Sequence, residues 1–271
     1  MLEILIPLHN PTEVLTRTID SLLGQKKREF SVLLSDNHSV SGQTLIKQSK
    51  LKLSKAGLNV RLVRPPMELK RVEHWNWIHF QSESAWLKPL LAGDWLEPEY
   101  ITAILREIKM NPQCSYLYCP NLRQRGKKKH ATGAGRYYSA SEMQQRVLRS
   151  EVQFGPPSVA AYRREAFLAM GGYRTTLSIC ADSLFFCTLA SRFGGVELVQ
   201  SLCNVHPQEA DLSISRQRKQ AIVFWEKIIF LLALTYHAFT ENVPFPRWSI
   251  LRRIALEIQQ RVRERLDLST P

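Results

Sequence analysis

The sequence predicts an α/β protein in which a mostly parallel sheet is flanked by helices and followed by a helical extension. Three observations carry this. Short apolar runs alternate with helical patterns through residues 2–63, in the order strand, helix, strand, helix, strand. Such alternation implies parallel pairing through right-handed crossovers. Hydrophobic residues make up 44% of the 271 and charged residues 23%, the balance of a chain that buries a core. From Gln217 onward the pattern is helical alone, broken at Pro244 to Pro246. The expected division is residues 1–216 as one α/β domain and residues 217–271 as a C-terminal helical extension.

Residues 2–6 (LEILI) read as a buried strand and residues 7–10 as a turn. Thr12 reads as an N-cap, because Val14, Leu15, Ile19, Leu22 and Leu23 follow at helical spacing and Gly24 ends the run. Residues 30–34 (FSVLL) form the second strand, closed by Ser35-Asp36-Asn37. A basic helix then runs to about Ala56, and residues 59–63 form the third strand. A helix over 73–82 leads to a short strand over 85–91, and a helix over 98–110 leads to a strand over 115–119. Residues 121–138 are rich in Lys, Arg and Gly and read as a basic loop. Residues 139–149 read as helix, 156–163 as strand and 181–192 as helix.

The net charge of +13 attracts anions: nucleic acid, an acidic membrane surface or phosphate-bearing substrates. No helix-turn-helix, zinc-ligand or RNP-type pattern accompanies it, and the basic residues are dispersed, so nucleic acid is not an expected partner. Gly133 and Gly135 are not a dinucleotide fingerprint, lacking a third glycine and a strand just before. The five cysteines are odd in number and include no CxxC pair, which fits reduced thiols in the cytoplasm. The first ten residues lack the basic region and cleavage site of a signal peptide, and the longest apolar run, 228–234, is too short to span a bilayer.

In α/β sheets ligands bind outside the carboxyl ends of the strands. Two strands here end in polar residues at that edge: Leu34 runs into Ser35-Asp36-Asn37 and Leu91 into Gly93-Asp94. Each carboxylate has two readings. Asp36 lies where a nucleotide would bind at such an edge, or heads an Asx-turn. Asp94 is a metal ligand, or a cap for the helix opening at Pro98.

Four stretches, in order, resemble family 2 glycosyltransferases of the GT-A fold: LEILIPLHNPTEVLTRTIDSLLGQ, VLLSDNHSVSGQT, HWNWIHFQSESAWLKPLLAGDWLEPEYI and FGPPSVAAYRREAFLAMGGYRTTLSICADSLFFCTLA. The resemblance covers roughly residues 2–215. It implies a nucleotide-diphosphate sugar donor and a glycan or lipid-linked acceptor, with inversion at the transferred sugar. It implies donor contacts from Pro7, His9, Asn10, Asp36, Asn37, Arg71, Asn76, Ala92, Gly93 and Asp94. Asp94 corresponds to the last acid of a DXD-type motif that holds Mn²⁺ or Mg²⁺ against the diphosphate. Leu91 and Gly93 stand where relatives often carry acids, so cation dependence is weaker than usual or absent, and a catalytically inactive binding module is the rival reading.

Asp182 corresponds to the general base, in an Ala-Asp pair where relatives usually have Glu-Asp. Its alternative is a cap for a helix starting at Ser183. His206 resembles a histidine that ligates the cation or contacts the diphosphate; a structural histidine is the bland reading. Pro157 and Ser158 resemble an acceptor-side turn, against a rigid turn with no ligand. Trp75 and Trp77 read as core. In the extension, residues 224–232 form an apolar helix and residues 247–266 a basic amphipathic one. The latter packs on the domain or on a second subunit of a homo-oligomer, or rests on the anionic inner face of a membrane.

Overall fold

The computed structural model describes residues 1–119, 133–149, 151–152, 154–199, 201–206, 220–240, 255 and 258–259. The amino-terminal half alternates as its periodicity predicts: β1 (Leu2–Leu8), α1 (Val14–Leu23), β2 (Phe30–Asp36), α2 (Gln43–Lys55), β3 (Asn59–Val63), α3 (Arg71–Phe80) and β4 (Trp86–Pro89). β5 (Trp95–Leu96), α4 (Tyr100–Met110), β6 (Tyr116–Tyr118), β7 (Arg136–Tyr138) and α5 (Ala140–Leu148) follow. A 3₁₀ turn at Pro157–Val159 then enters β8 (Ala160–Arg163), α6 (Arg164–Ala169), α7 (Ala181–Phe193), β9 (Gly195–Glu197), β10 (Cys203–Asn204) and α8 (Gln220–Thr240).

Eight strands form one sheet in the order β3-β2-β1-β4-β8-β6-β9-β7. β1, β2, β3 and β4 are parallel, and so are β6 and β9. β8 runs against both of its neighbours. One core face packs Leu15, Ile19 and Leu22 of α1 and Ile101 and Ile104 of α4 on the sheet; the other packs Trp75, Phe167, Phe185 and Phe186.

Several boundaries differ from expectation for identifiable reasons. β1 continues through Pro7 to Leu8 instead of turning there. Its pairing with β4 ends at Leu5, so the side on which Pro7 lacks an N–H carries no ladder partner. Thr12 is no side-chain cap; its carbonyl accepts from Leu15 N at 3.0 Å, and α1 begins two residues later. Arg136–Tyr138 is the edge strand β7 rather than loop, whereas residues 121–132 lie outside the described residues. Ser139 caps α5, accepting from Glu142 N while Glu142 reaches back to Ser139 N.

The buried side of α8 carries Glu226, Ile228 and Leu231, and the helix packs on α7. Ile222, Trp225, Ile229, Leu232 and Tyr236 form its exposed stripe. The amphipathic pattern over 247–266 lies outside the described residues except Ala255, Ile258 and Gln259, which are exposed. No helix among the described residues is long and apolar enough to cross a membrane. None of the five cysteines forms a disulfide.

Candidate donor and catalytic site

The turn after β4 is held by side chains from two distant segments. Thr18 of α1 is fully buried; its hydroxyl accepts from Gly93 N and donates to Asp94 O, both at 2.8 Å. One hydroxyl therefore satisfies two backbone groups that a buried turn would otherwise leave unpaired. Ser158 Oγ accepts from Leu91 N at 2.9 Å. Beneath the turn, Lys88 is fully buried; its ammonium donates to Pro89 O at 3.0 Å and to Ser158 O, and lies 5.0 Å from the Tyr100 ring centre. Burial pushes the Lys88 pKa down, and Cys203, Cys119 and Asp94 pull it back up.

Pro157 and Ser158, expected on the acceptor side, lie beside this turn. Both are buried, Ser158 entirely, and Ser158 is engaged with the β4 turn through hydroxyl and carbonyl. Pro157 and Ser158 support the turn from below.

Asp94 is also no cap for α4, which starts six residues later. Its Oδ1 accepts from His206 N at 2.8 Å. The antiparallel pair of β10 with β5 brings His206 there. Gly93, at φ +98°, lies so close that a Cβ would stand 3.3 Å from the His206 ring. A side chain at 93 would be strained in backbone and crowded by the imidazole, which explains why no acid stands there.

Asp94 Oδ2 and His206 Nδ1 are buried without hydrogen-bond partners among the described residues. Burial raises the Asp94 pKa, against the Ser158 hydroxyl, the His206 amide and the charges of Lys88 and His206. Two buried, unpaired O and N donors in one corner fit a divalent cation that takes its remaining ligands from phosphate and water. Among the described residues no group of three or more His, Cys, Asp or Glu could hold a metal ion alone.

The β1–β2 edge is knitted largely to itself. Asp36 Oδ1 accepts from Ser39 N, three residues on, at 3.0 Å, one residue beyond the reach of the Asx-turn in the alternative reading. Asp36 is still half-buried at the carboxyl end of β2. Asn37 clamps this edge: its amide exchanges both bonds with the Leu69 backbone, at 2.8 and 2.9 Å. Asn10, at φ +46°, accepts from Val40 N and Ser41 N and binds the α2 approach to the β1 turn. His9 Nδ1 bonds Asn37 O at 3.0 Å, leaving the ring half exposed beside Glu68. Asn76 is likewise structural, exchanging bonds with Tyr173 O and Tyr173 N at 2.8 and 2.7 Å. Pro7 and Ala92 are half-buried at the same edge.

Asp182 lies in the first turn of α7, one residue past its start at Ala181, so it is not the capping residue. Its Oδ1 accepts from Ser183 N at 2.7 Å. Desolvation raises its pKa, and the Ser183 amide and the Arg71 guanidinium act in the opposite direction. Arg71 stacks 4.7 Å from the Trp75 ring centre and donates to Ser178 O. A desolvated carboxylate that stays close to a cation suits proton acceptance.

Three residues that hold this site escape a reading of the sequence: Thr18, Lys88 and Glu226. Lys88 alone left a signal, a lysine inside an apolar run whose neighbours on both sides are buried.

A family model described as glycosyl transferase family 2 matches residues 3–171. An uncharacterized glycosyltransferase of Haemophilus influenzae is 24% identical over 233 residues, spanning 82% of this chain and 74% of that one. The chain superposes on residues 1–349 of S. aureus TarS in complex with UDP-GlcNAc with a TM-score of 0.65 at 15% identity, covering 86% of this chain and 66% of TarS 1–349. The mannosyltransferase PcManGT from Pyrobaculum calidifontis, in complex with GDP-Man and Mn²⁺, superposes with a TM-score of 0.62 at 14% identity, covering 94% and 79%. The two solved structures share its GT-A fold. With more than half of its length matched by the family model, the chain belongs to glycosyl transferase family 2.

Proposed function

We propose that the chain transfers a sugar, with inversion, from a nucleoside-diphosphate sugar to a hydroxyl of a glycan or lipid-linked acceptor. One observation carries the reading: the unpaired, buried Asp94 Oδ2 and His206 Nδ1 share a corner at the carboxyl edge of the sheet. Asp182 is the general base. The acceptor oxygen attacks the anomeric carbon and forms the new glycosidic bond. The bond from that carbon to the diphosphate oxygen breaks, its electron pair leaves with the nucleoside diphosphate, and the acceptor proton passes to Asp182. A single displacement from the face opposite the leaving group inverts the anomeric carbon.

Asp94 and His206 hold the diphosphate end of the donor, with Asp36 towards the nucleoside. A divalent cation bound by Asp94 and His206 supplies charge neutralisation for the departing diphosphate. The TarS complex contains UDP-GlcNAc and the PcManGT complex GDP-Man with Mn²⁺, which favours both donors as probes. In a thermal-shift panel of UDP and GDP sugars with and without Mn²⁺, at least one should raise the melting temperature. No shift with any of them removes the donor reading. Binding without turnover favours the inactive module, which the absence of acids at Leu91 and Gly93 motivates.

We further propose contact with an anionic membrane on its cytoplasmic face. The exposed stripe Ile222, Trp225, Ile229, Leu232 and Tyr236 and the net charge of +13 support it. The protein should co-sediment with anionic vesicles, and the double variant Trp225→Glu, Leu232→Glu should remain in the supernatant. Equal recovery of the two proteins eliminates this surface as the contact.

A further inference from the structure

The buried carboxylate of Glu226 on α8 closes the turn that leads into Asp182. Its Oε1 accepts from Ser178 Oγ at 2.6 Å and from Ser178 N at 2.9 Å. Its Oε2 accepts from Ile179 N at 2.6 Å and from Cys180 N at 3.1 Å. Three successive N–H groups at the start of α7 therefore converge on one side chain from the extension. Of these only Cys180, the N-cap, is an amide the helix cannot pair within itself; the other two belong to the preceding turn, beside the helix end that favours negative charge. Burial by itself would raise the Glu226 pKa; the Ser178 hydroxyl and the three amides outweigh it and hold the carboxyl below its usual range.

The same turn has a second fastening, since Arg71 donates to Ser178 O. The Arg71 charge also opposes the desolvation of Asp182, together with the Ser183 amide. Glu226 thus grips the amide side of a short turn whose carbonyl side aligns Arg71 and whose end carries Asp182. The groups that face Asp182 are Arg71 from α3, Tyr173 from the segment before α7 and the Ser183 amide of its own helix.

We propose that Glu226 is a positioning residue for sugar transfer: the C-terminal extension sets the placement of Asp182 by holding the turn at residues 178–180. This rests on the reading of Asp182 as the base. Glu226→Gln keeps the length of the side chain but turns one acceptor oxygen into an NH₂ facing backbone N–H groups. In the full-length protein kcat should fall by about tenfold to 100-fold, the size of effect a small misplacement of a reacting group produces. Donor KM should stay within about twofold. As Arg71 loses its fixed carbonyl, its hold on Asp182 weakens and the acid limb of the rate profile moves to higher pH.

Wild-type kcat with an unmoved limb overturns the proposal, as does an equal loss of kcat and donor affinity. Ser178→Ala removes only the hydroxyl and serves where Glu226→Gln does not fold. It should lower kcat about threefold with unchanged donor KM, the scale of one hydrogen bond, and wild-type kinetics there are equally fatal. Asp182→Asn separates the two ideas. If it retains transfer, the base reading fails; if it is inactive while Glu226→Gln is normal, only the role of Glu226 fails.

Discussion

Asp182→Asn should lower the rate of sugar transfer by about 10²- to 10⁴-fold, the usual range for removing a general base. The amide is nearly isosteric, and its oxygen can still accept from Ser183 N, so fold and donor affinity should be unchanged. Wild-type activity is expected to show an acid limb. Desolvation raises the Asp182 pKa, and the base works only when ionised, so the rate falls as pH drops through a value above the ordinary aspartate value of about 4. The variant should lose that limb along with the rate. A kcat within a few-fold of wild type would assign the base elsewhere.

The second large effect is expected at Asp94. Asp94→Ala should weaken the affinity for a UDP or GDP sugar by about tenfold or more, equivalent to at least about 1.4 kcal/mol, and abolish enhancement by Mn²⁺. The side chain lost is the one with an unpaired buried oxygen beside His206. Asp94→Asn is the companion variant: its amide oxygen can still accept from His206 N, which preserves the corner, while the anionic ligand is gone. Titration of donor with and without Mn²⁺ separates the outcomes. Alanine and asparagine variants that both bind donor as wild type, with the same Mn²⁺ response, would exclude Asp94 from donor binding.

The alternation from β1 to β4 was legible because it depends on periodicity, a local property of the chain. So was the edge at which Asp36 and Asp94 stand, since both follow apolar runs that become strands. What was not legible depends on residues far apart in sequence. β5 and β10 are two residues each and exist only because they pair with one another, yet they bring His206 to Asp94. Asn37, Asn76 and Ser158 have the chemistry for ligand contacts; their partners within the protein, Leu69, Tyr173 and Leu91, are visible only in the folded chain. Glu226 lies within the apolar pattern of residues 224–232, and its meaning is set by the turn that meets it.

The Thr18 clamp has a consequence for when the protein becomes competent. Its hydroxyl in the first helix has nothing to grip until Gly93 and Asp94 exist, some 75 residues later. His206 reaches Asp94 from 112 residues away, and Glu226 meets Ser178 across 48. At a synthesis rate of about 5–20 residues per second, the first parallel strands wait roughly 10 to 30 seconds on the ribosome before the corner with His206 is made. Non-local pairings of this kind also slow folding, because the intervening chain must be closed into a loop before the contact stabilises anything. The nascent amino-terminal half thus exposes strand edges and an unfinished pocket for an appreciable time. A chain arrested before residue 206 would have the scaffold of β1 to β4 but an incomplete donor corner.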